Sequence, residues 1–499
     1  MGKIRWRKWL LVTVCSLLLF TVVLPVVAQE MSHQSDKGGF MVVAANPRAV
    51  NAGFQVLNNG GNALDAAIAV QMVLSLVEPQ SSGIGGGAFL LYWDNQAKQL
   101  HAYDGRETAP ASALADHFLL PDGQPQKFYQ AVVGGLSVGV PGVVRMLDKA
   151  HGKHGRKNWA SLFTPGIKLA SEGFEVSPRL KKMLETDDHL KKSPTASRYF
   201  YNLDGVPRKR LVNPTLADTL QQIAEKGSSV FHDGHLAREI VQTVNQANPP
   251  GDLTLDDLKG YKAKKREPLC RPYRSYRVCS IPPPTSGGIA VLQLLGILEH
   301  FDVTKYDPQS LKMVHLFTQA QRLVFADRNR YVADPDFVKV PIEEMLDKSY
   351  LTDRAKTIDW TRDGGKAVPG FFPSHQSGNR QDGEDYSLPS TSHISIVDGW
   401  GNAVSMTTSI ENRFGSRLMV SGFLLNNQLT DFSFVPNVNG NLVANRVKGG
   451  KRPRSSMMPV MVFDSQNRLR IVAGSPGGSR IIGYGVILHK GTKRDIGFF

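Results

Sequence analysis

The 499-residue chain is poor in cysteine, with only Cys15, Cys270 and Cys279. So few cysteines in so long a chain exclude a small disulfide-rich scaffold. The 13 histidines form no HExxH or similarly spaced ligand set, which disfavours a metal enzyme and predicts no metal. His393 is predicted to pack in a strand rather than to coordinate an ion. The sequence therefore predicts chemistry done by the side chains themselves.

Two further absences reduce the set of functions that the sequence allows. No Gly-Lys-Ser or Gly-Lys-Thr follows the glycine-dense stretch 83–87, which disfavours a phosphate-binding loop. The formal net charge is +15, yet no aromatic-interleaved basic stripe accompanies it, so nucleic acid is not the expected partner. What is present, a 41% hydrophobic fraction and 8% aromatics, is typical of a globular enzyme.

The first 28 residues have a basic start, an apolar run over 9–23 and a small-residue exit at Ala28. This pattern predicts a secretory signal peptide. An uncleaved membrane anchor is the alternative, and Pro25 disfavours it. The predicted location is outside the cytoplasm, in a bacterium the periplasm, with no stable membrane anchor.

Cys270 and Cys279 flank a strand, turn and strand pattern. Export to an oxidising compartment allows them to pair. Two unpaired thiols remain the other reading, because spacing does not prove connectivity.

Local patterns place several elements. Residues 45–77 predict two helices broken at 59–61, with Asn62 as the N-cap of the second. The apolar run 88–93 predicts a buried strand, and a mixed, mainly helical region follows over 128–351. Residues 367–389 predict an exposed, mobile and cleavable loop, because Gly, Pro, Ser, Gln and Asp crowd there without apolar periodicity.

The segment after that loop predicts a β-hairpin centred near Trp400, from strands 392–397 and 403–410. In this register the numbers of opposed residues sum to 800. Thr391 then faces Ser409 at about 5 Å, the spacing of directly opposed side chains. Two hydroxyl groups are therefore predicted to meet at the start of the hairpin.

Thr391 is a candidate nucleophile. A threonine hydroxyl needs a base, and a threonine at a free chain terminus carries one in its own α-amino group. Its hydroxyl can create that terminus by attacking the carbonyl of Ser390, with Ser409 orienting it. A threonine that merely begins a strand is the plain alternative.

Further along, strands are predicted over 458–463 and 469–473, the second a buried strand that breaks into the glycine turn 474–480. Consecutive backbone amides in such a turn can form an oxyanion hole. An ordinary glycine-rich turn is the alternative.

Eight sequence blocks share one further property: their order along the chain. They are Gly-Gly-Asn-Ala-Leu-Asp-Ala-Ala at 60–67, Glu-Pro-Gln-Ser-Ser-Gly-Ile-Gly-Gly-Gly at 78–87, Gly-Gly-Leu-Ser-Val-Gly-Val-Pro-Gly at 134–142, Pro-Pro-Thr-Ser-Gly-Gly at 283–288, Ala-Asp-Arg at 326–328, Leu-Leu-Asn-Asn at 424–427, Ser-Ser at 455–456 and Pro-Gly-Gly-Ser at 476–479. Together they resemble the gamma-glutamyltransferase family along nearly the whole chain after the signal.

The resemblance implies an α+β fold, the four-layer αββα sandwich of N-terminal-nucleophile hydrolases. It implies a precursor cut into a large chain, 29–390, and a small chain, 391–499, that associate. No cofactor is implied. The implied substrates are glutathione and related gamma-glutamyl amides, with water, an amino acid or a peptide as acceptor.

The resemblance also assigns roles. Catalysis falls to Thr391, its supporting hydroxyl on Ser409, and an oxyanion hole at Gly477 and Gly478. The residues that match the family's substrate-binding positions are Arg106, Glu411, Gln428, Asp431, Ser455 and Ser456. The α-carboxylate meets Arg106 and the two serines, and the α-ammonium meets Gln428 and Asp431. Without the family, Arg106 and Asp431 would be predicted as surface charges.

The chain departs from the family in three places. Glu411 stands where many members have asparagine, and it can add a contact to the ammonium. Asn439 stands where lid-bearing members have tyrosine, which predicts a more open pocket and more hydrolysis. A glutaryl or cephalosporin acylase is therefore an alternative, although Asp431 disfavours it because a glutaryl group has no ammonium.

Beyond Gly483 the sequence leaves the family pattern. The expectation is a shortened small chain, which makes a non-catalytic remnant the rival from outside the enzymes.

Overall fold

The computed structural model describes residues 39–307, 309–373, 380–383 and 390–486. The predicted signal segment 1–28 and the terminal residues 487–499 lie outside these ranges. Within them, every helix is too short or too polar to cross a lipid bilayer.

The α-helices of the described ranges are numbered in chain order. They are α1 Pro47–Asn58, α2 Ala63–Val77, α3 Phe128–Val132, α4 Val143–His154, α5 Thr164–Glu172, α6 Pro178–Glu185, α7 Asp188–Lys192, α8 Pro194–Phe200, α9 Pro214–Lys226, α10 Ser229–Asp233, α11 His235–Asn245, α12 Leu255–Gly260, α13 Gly287–Leu298, α14 Leu311–Tyr331, α15 Ile342–Met345, α16 Lys348–Lys356 and α17 Ile481–Val486.

The strands are numbered in the same way. They are β1 Met41–Val43, β2 Gly87–Asp94, β3 Gln99–Asp104, β4 Phe174–Glu175, β5 Arg210–Leu211, β6 Lys264–Arg266, β7 Leu269–Tyr273, β8 Tyr276–Ser280, β9 Arg380–Gln381, β10 Ser392–Val397, β11 Ala403–Ser409, β12 Met419–Val420, β13 Phe423–Leu424, β14 Asn437–Val438, β15 Asn441–Val443, β16 Val460–Asp464 and β17 Leu469–Ala473.

Two antiparallel sheets form the centre of the fold. The six-stranded sheet has the order β1-β10-β11-β2-β3-β6, and the four-stranded sheet has the order β17-β16-β8-β7. Their facing sides share an apolar layer in which Phe89 and Trp93 of one sheet meet Met461 and Phe463 of the other. Helix α2 packs on the outer side of the first sheet and α13 on the outer side of the second. The fold is therefore α+β, in four αββα layers.

Helix α2 shows how local sequence builds an inner element. The Asn62 side chain accepts hydrogen bonds from the amides of Leu64 and Asp65, and the Asp65 carboxylate accepts one from the amide of Asn62. This reciprocal cap satisfies amides that the first helical turn leaves without partners. Every residue of α2 is buried, so capping matters here more than amphipathic periodicity. The predicted break and N-cap are confirmed.

The hairpin β10–β11 has the predicted register. Ser392 lies opposite Thr408 and Val397 lies opposite Ala403, so opposed numbers sum to 800. The turn is held by Asp398, whose carboxylate accepts from the amides of Trp400 and Asn402, both at 2.9 Å. The first sheet thereby brings the start of β10 beside the end of β11.

The strands β7 and β8 place Cys270 directly opposite Cys279, and the structure joins the two sulfurs in a disulfide with an S–S distance of 2.08 Å. Cys279 is fully buried in the layer between the two sheets.

The expectation of an exposed stretch over 367–389 is wrong for part of it. Phe372 is buried, and its ring lies 4.9 Å from those of Tyr331 and Tyr350, measured between centroids. The Tyr331 hydroxyl donates to the carbonyl of Gly370 at 2.6 Å. A single aromatic in a polar segment has no periodicity, so only its tertiary partners reveal its burial. Residues 374–379 and 384–389 lie outside the described ranges.

Candidate active site

The residue before β10 has an unfavourable backbone conformation. Thr391 has φ +87°, which is rare for a β-branched residue because its Cβ crowds the backbone. The preceding residue is held on both sides: the Ser390 hydroxyl donates to the carbonyl of Gln80 at 3.1 Å, and its own carbonyl accepts from the Gly477 amide at 3.0 Å. Strain therefore lies at the residue that follows the peptide bond predicted to be cut.

The hydroxyl of Thr391 meets that of Ser409, with the two oxygens 3.0 Å apart. The Ser409 oxygen also accepts from the Glu411 amide at 2.9 Å, so its own proton is directed elsewhere. Both hydroxyl residues are buried. The pairing that the hairpin register predicts is present.

The predicted glycine turn lies beside this pair. Gly477 has φ +140° and Gly478 has φ +59°, backbone conformations that glycine adopts without the penalty a side chain incurs. The strand before it, β17, is half-buried, so the expectation of a buried strand is wrong. The reason is its place at the edge of the four-stranded sheet.

A buried ion pair lies deeper in the site. The Arg106 guanidinium is fully buried and contacts the Asp431 carboxylate, and it also donates to the carbonyls of Pro453 and Arg454, both at 3.1 Å. Gln428 donates to the same carboxylate at 3.1 Å. The residues that match the family's carboxylate and ammonium contacts therefore pair with each other in this chain, and Arg106 is no surface charge.

Two further carboxyl groups adjoin this pair. Burial raises the pKa of Glu107 to about 8, opposed by Arg106, whose Nη1 lies 3.7 Å from the Glu107 carboxylate. Burial also raises the pKa of Glu411 well above its ordinary value, and the negative charge of Asp431 adds to the rise. Sequence reasoning missed Glu107, for which its position next to Arg106 was the only signal.

The hydroxyl oxygens of Ser455 and Ser456 each accept a hydrogen bond from another group of the protein. The Ser455 hydroxyl oxygen accepts from the Met457 amide at 3.0 Å, and the Ser456 hydroxyl oxygen accepts from Nη2 of Arg328 at 2.7 Å. A hydroxyl has one proton. When its oxygen accepts a hydrogen bond from another group of the protein, that proton remains available to donate into the pocket. Both serines can therefore present an O–H to an anion in the pocket.

These side chains meet in one cavity. The lining residues come from distant parts of the chain: Thr391, Ser409, Glu411, Gln428, Asp431, Ser455, Ser456, Met457, Gly478 and Ile481. Of the predicted site residues outside this lining, Arg106 adjoins the cavity through its ion pair with Asp431, and Gly477 adjoins it as the chain neighbour of Gly478.

Asn439 lies at the tip of the hairpin β14–β15. It has φ +52° and its neighbour Gly440 has φ +78°, the conformations of a two-residue turn. Both residues are exposed. Within the described ranges, no group of three His, Cys, Asp or Glu side chains is arranged to hold a metal ion.

The chain is similar to known proteins along most of its length. The family model described as Gamma-glutamyltranspeptidase matches residues 49–489. A glutathione hydrolase proenzyme of Bacillus subtilis is 38% identical over 452 residues, which are 89% of this chain and 76% of the relative. One of Escherichia coli is 38% identical over 471 residues, 91% of this chain and 78% of the relative.

Solved structures of two related proteins are also similar to this chain. The crystal structure of a Helicobacter pylori gamma-glutamyltranspeptidase has a TM-score of 0.66 at 32% identity and covers 69% of this chain and 99% of its own. That of a Bacillus halodurans cephalosporin acylase has a TM-score of 0.75 at 29% identity and covers 91% of this chain and 80% of its own.

Proposed function

This chain belongs to the gamma-glutamyltranspeptidase family, and we propose that it cuts itself between Ser390 and Thr391 and then cleaves gamma-glutamyl amides such as glutathione through an ester on Thr391. One observation carries the proposal: the paired hydroxyls of Thr391 and Ser409 lie in the same cavity as Asp431, the partner of Arg106. This arrangement supports a nucleophile acting beside a two-point clamp for an amino acid head group.

Self-cleavage follows from the local geometry. The Thr391 oxygen attacks the Ser390 carbonyl carbon, the C–N bond breaks, and the freed amine takes up the hydroxyl proton. Water then opens the ester, which leaves a carboxylate on Ser390 and restores the hydroxyl. The Gly477 amide, 3.0 Å from the carbonyl oxygen, stabilises the charge that develops there, and release of the strain at φ +87° favours the shift.

Turnover uses the same groups. The new α-amine of Thr391 accepts the hydroxyl proton while the oxygen attacks the γ-carbonyl carbon. The oxyanion occupies the place that the Ser390 carbonyl vacates, next to the amides of Gly477 and Gly478. The amine released from the substrate takes the proton from the Thr391 α-ammonium and departs. Water or an acceptor amine then attacks the ester carbonyl carbon, which releases the Thr391 hydroxyl.

The charges of the site fit a gamma-glutamyl head group. Arg106 and Asp431 form an ion pair with each other. A substrate that carries both an α-carboxylate and an α-ammonium inserts a complementary charge opposite each of them, so neither buried charge loses its partner. Holding both ends of the head group places the γ-carbonyl at Thr391.

We further propose export with removal of residues 1–28, in a bacterium to the periplasm, and two associated chains, 29–390 and 391–499. We also propose that water competes well with amine acceptors, because the exposed Asn439 stands where lid-bearing members of the family have tyrosine.

The test is the intact mass of the purified protein under reducing, denaturing conditions, with sequencing of any new N-terminus. We expect two chains, the smaller beginning Thr-Ser-His-Ile-Ser, and release of p-nitroaniline from γ-glutamyl-p-nitroanilide. A single uncut chain without activity would contradict the proposal. Cleavage of glutaryl-p-nitroanilide in preference to the γ-glutamyl compound would favour the acylase, whose fold this chain shares.

The raised pKa of Glu411 gives a pH prediction. In the folded protein its carboxyl stays neutral at a pH where the unfolded chain ionises, so it lowers stability as pH rises above the ordinary glutamate value. We expect Glu411→Gln to raise Tm by roughly 2–4 °C at pH 8 and not at pH 4, measured calorimetrically. A Tm gain equal at both pH values would contradict this assignment.

A further inference from the structure

We propose that Arg328 is a positioning residue for substrate binding, which orients the Ser456 hydroxyl toward the α-carboxylate; this inference rests on the proposed function. Arg328 belongs to the block 326–328, to which sequence reasoning gave no role. It lies near the end of α14 and is 2% exposed, so its guanidinium is buried behind the pocket rather than in it.

The guanidinium is held in a defined orientation. Its Nε donates to the Ser286 hydroxyl at 2.8 Å, Nη1 donates to the Asn329 side chain at 2.8 Å, and Nη2 donates to Ser456 at 2.7 Å. Ser286 in turn donates to the carbonyl of Ser455 at 2.7 Å. A planar fork fixed at three points holds its donors with little loss of side-chain entropy on binding.

The orientation has a chemical consequence. Because Nη2 of Arg328 occupies an acceptor position on Ser456, the single proton of that hydroxyl points away from the guanidinium. Ser456 lines the cavity, so its proton faces the space where the substrate head group lies. The buried positive charge of Arg328 also makes the Ser456 hydroxyl a stronger hydrogen-bond donor, because a nearby cation polarises the O–H bond and leaves more positive charge on its proton.

The role is therefore specific to one end of the substrate. Arg328 contributes to recognition of the α-carboxylate through Ser456, and it contributes nothing to the ammonium, which faces Asp431 and Gln428. Three p-nitroanilides separate the two ends. The γ-glutamyl compound has both charges, the glutaryl compound has only the carboxylate, and the 4-aminobutanoyl compound has only the ammonium.

The experiment compares Arg328→Lys with the parent enzyme, both first shown by mass to be cut at Thr391. Lysine keeps the charge and loses the fork. We expect KM to rise about 10-fold for the γ-glutamyl and glutaryl compounds, with kcat within about 2-fold and no change for the 4-aminobutanoyl compound. In a Ser456→Ala background, Arg328→Lys should raise KM no further. Arg322→Lys, on the same helix and bonded to Gln319 and the carbonyl of Gly365, is the matched control.

An unchanged KM, an equal rise with the 4-aminobutanoyl compound, or effects that add in the double variant would overturn the proposal. If Arg328→Lys is not cut, Ser286→Ala takes its place. It removes one acceptor of the guanidinium, so KM should rise about 3-fold with the same dependence on substrate, and an unchanged KM would overturn the proposal. Failure of the parent enzyme on γ-glutamyl-p-nitroanilide would instead contradict the proposed function, which the parent alone tests.

Discussion

Thr391→Ala is expected to yield one uncut chain and to lower γ-glutamyl transfer by at least about 10⁴-fold, because the substitution removes the nucleophile of both reactions. The fold should persist: alanine adds no volume, and the hydroxyl lost is bonded only to Ser409 among the described contacts. The measurements are intact mass for cleavage and p-nitroaniline release for turnover, with circular dichroism to verify folding.

Two variants serve as controls for this experiment. Thr391→Ser keeps the hydroxyl and relieves the crowding of a β-branched residue at φ +87°, so it should still cut itself, more slowly because less strain is released. Thr407→Ser makes the same chemical change on the neighbouring strand, where Thr407 is bonded to His393, and should cut normally. A cut Thr391→Ala chain would show that another group attacks the bond.

Asp431→Asn is expected to lower kcat/KM for γ-glutamyl-p-nitroanilide by about 10²–10³-fold. The amide keeps the shape of the carboxylate but leaves the substrate ammonium in a buried site without an opposite charge. The 4-aminobutanoyl compound should suffer as much, whereas the glutaryl compound, which has no ammonium, should change by less than about 10-fold. Relative preference for glutaryl amides should therefore rise.

The losses of kcat/KM on the three substrates distinguish contact of Asp431 with the ammonium from a role limited to holding Arg106. An equal loss on all three compounds would mean that Asp431 acts only by holding Arg106, with which it is ion-paired. Asp464→Asn is the matched control, since it removes one negative charge from a turn where the carboxylate pairs with Arg468. It should leave all three rates unchanged.

Local sequence predicted the elements that carry the proposed nucleophile. The alternation of residues along 392–409 and the turn at 398–402 set the register that brings Thr391 to Ser409. A tight turn constrains pairing strongly, and in β10, where buried and half-buried residues alternate, a one-residue slip would turn the buried side chains outward. The N-cap at Asn62 was predictable for the same reason: its partners are within three residues.

The proposed substrate-binding residues could not be found from local sequence patterns. Arg106 and Asp431 are 325 positions apart and look like surface charges one at a time. Their burial and pairing depend on how distant loops pack around the end of the first sheet. The family motifs supplied them as candidates, and the structure brings them to one cavity.

The sequence by itself therefore determined the family, through the order of its motifs, and that resemblance implied the fold class. The hairpin pattern also predicted where the proposed nucleophile lies. Only the tertiary structure decided that the Gly477 amide contacts the Ser390 carbonyl, that Phe372 is buried, and that Arg328 supports Ser456. Each of these contacts joins residues with no local pattern in common, and its energy arises only when packing removes both partners from water.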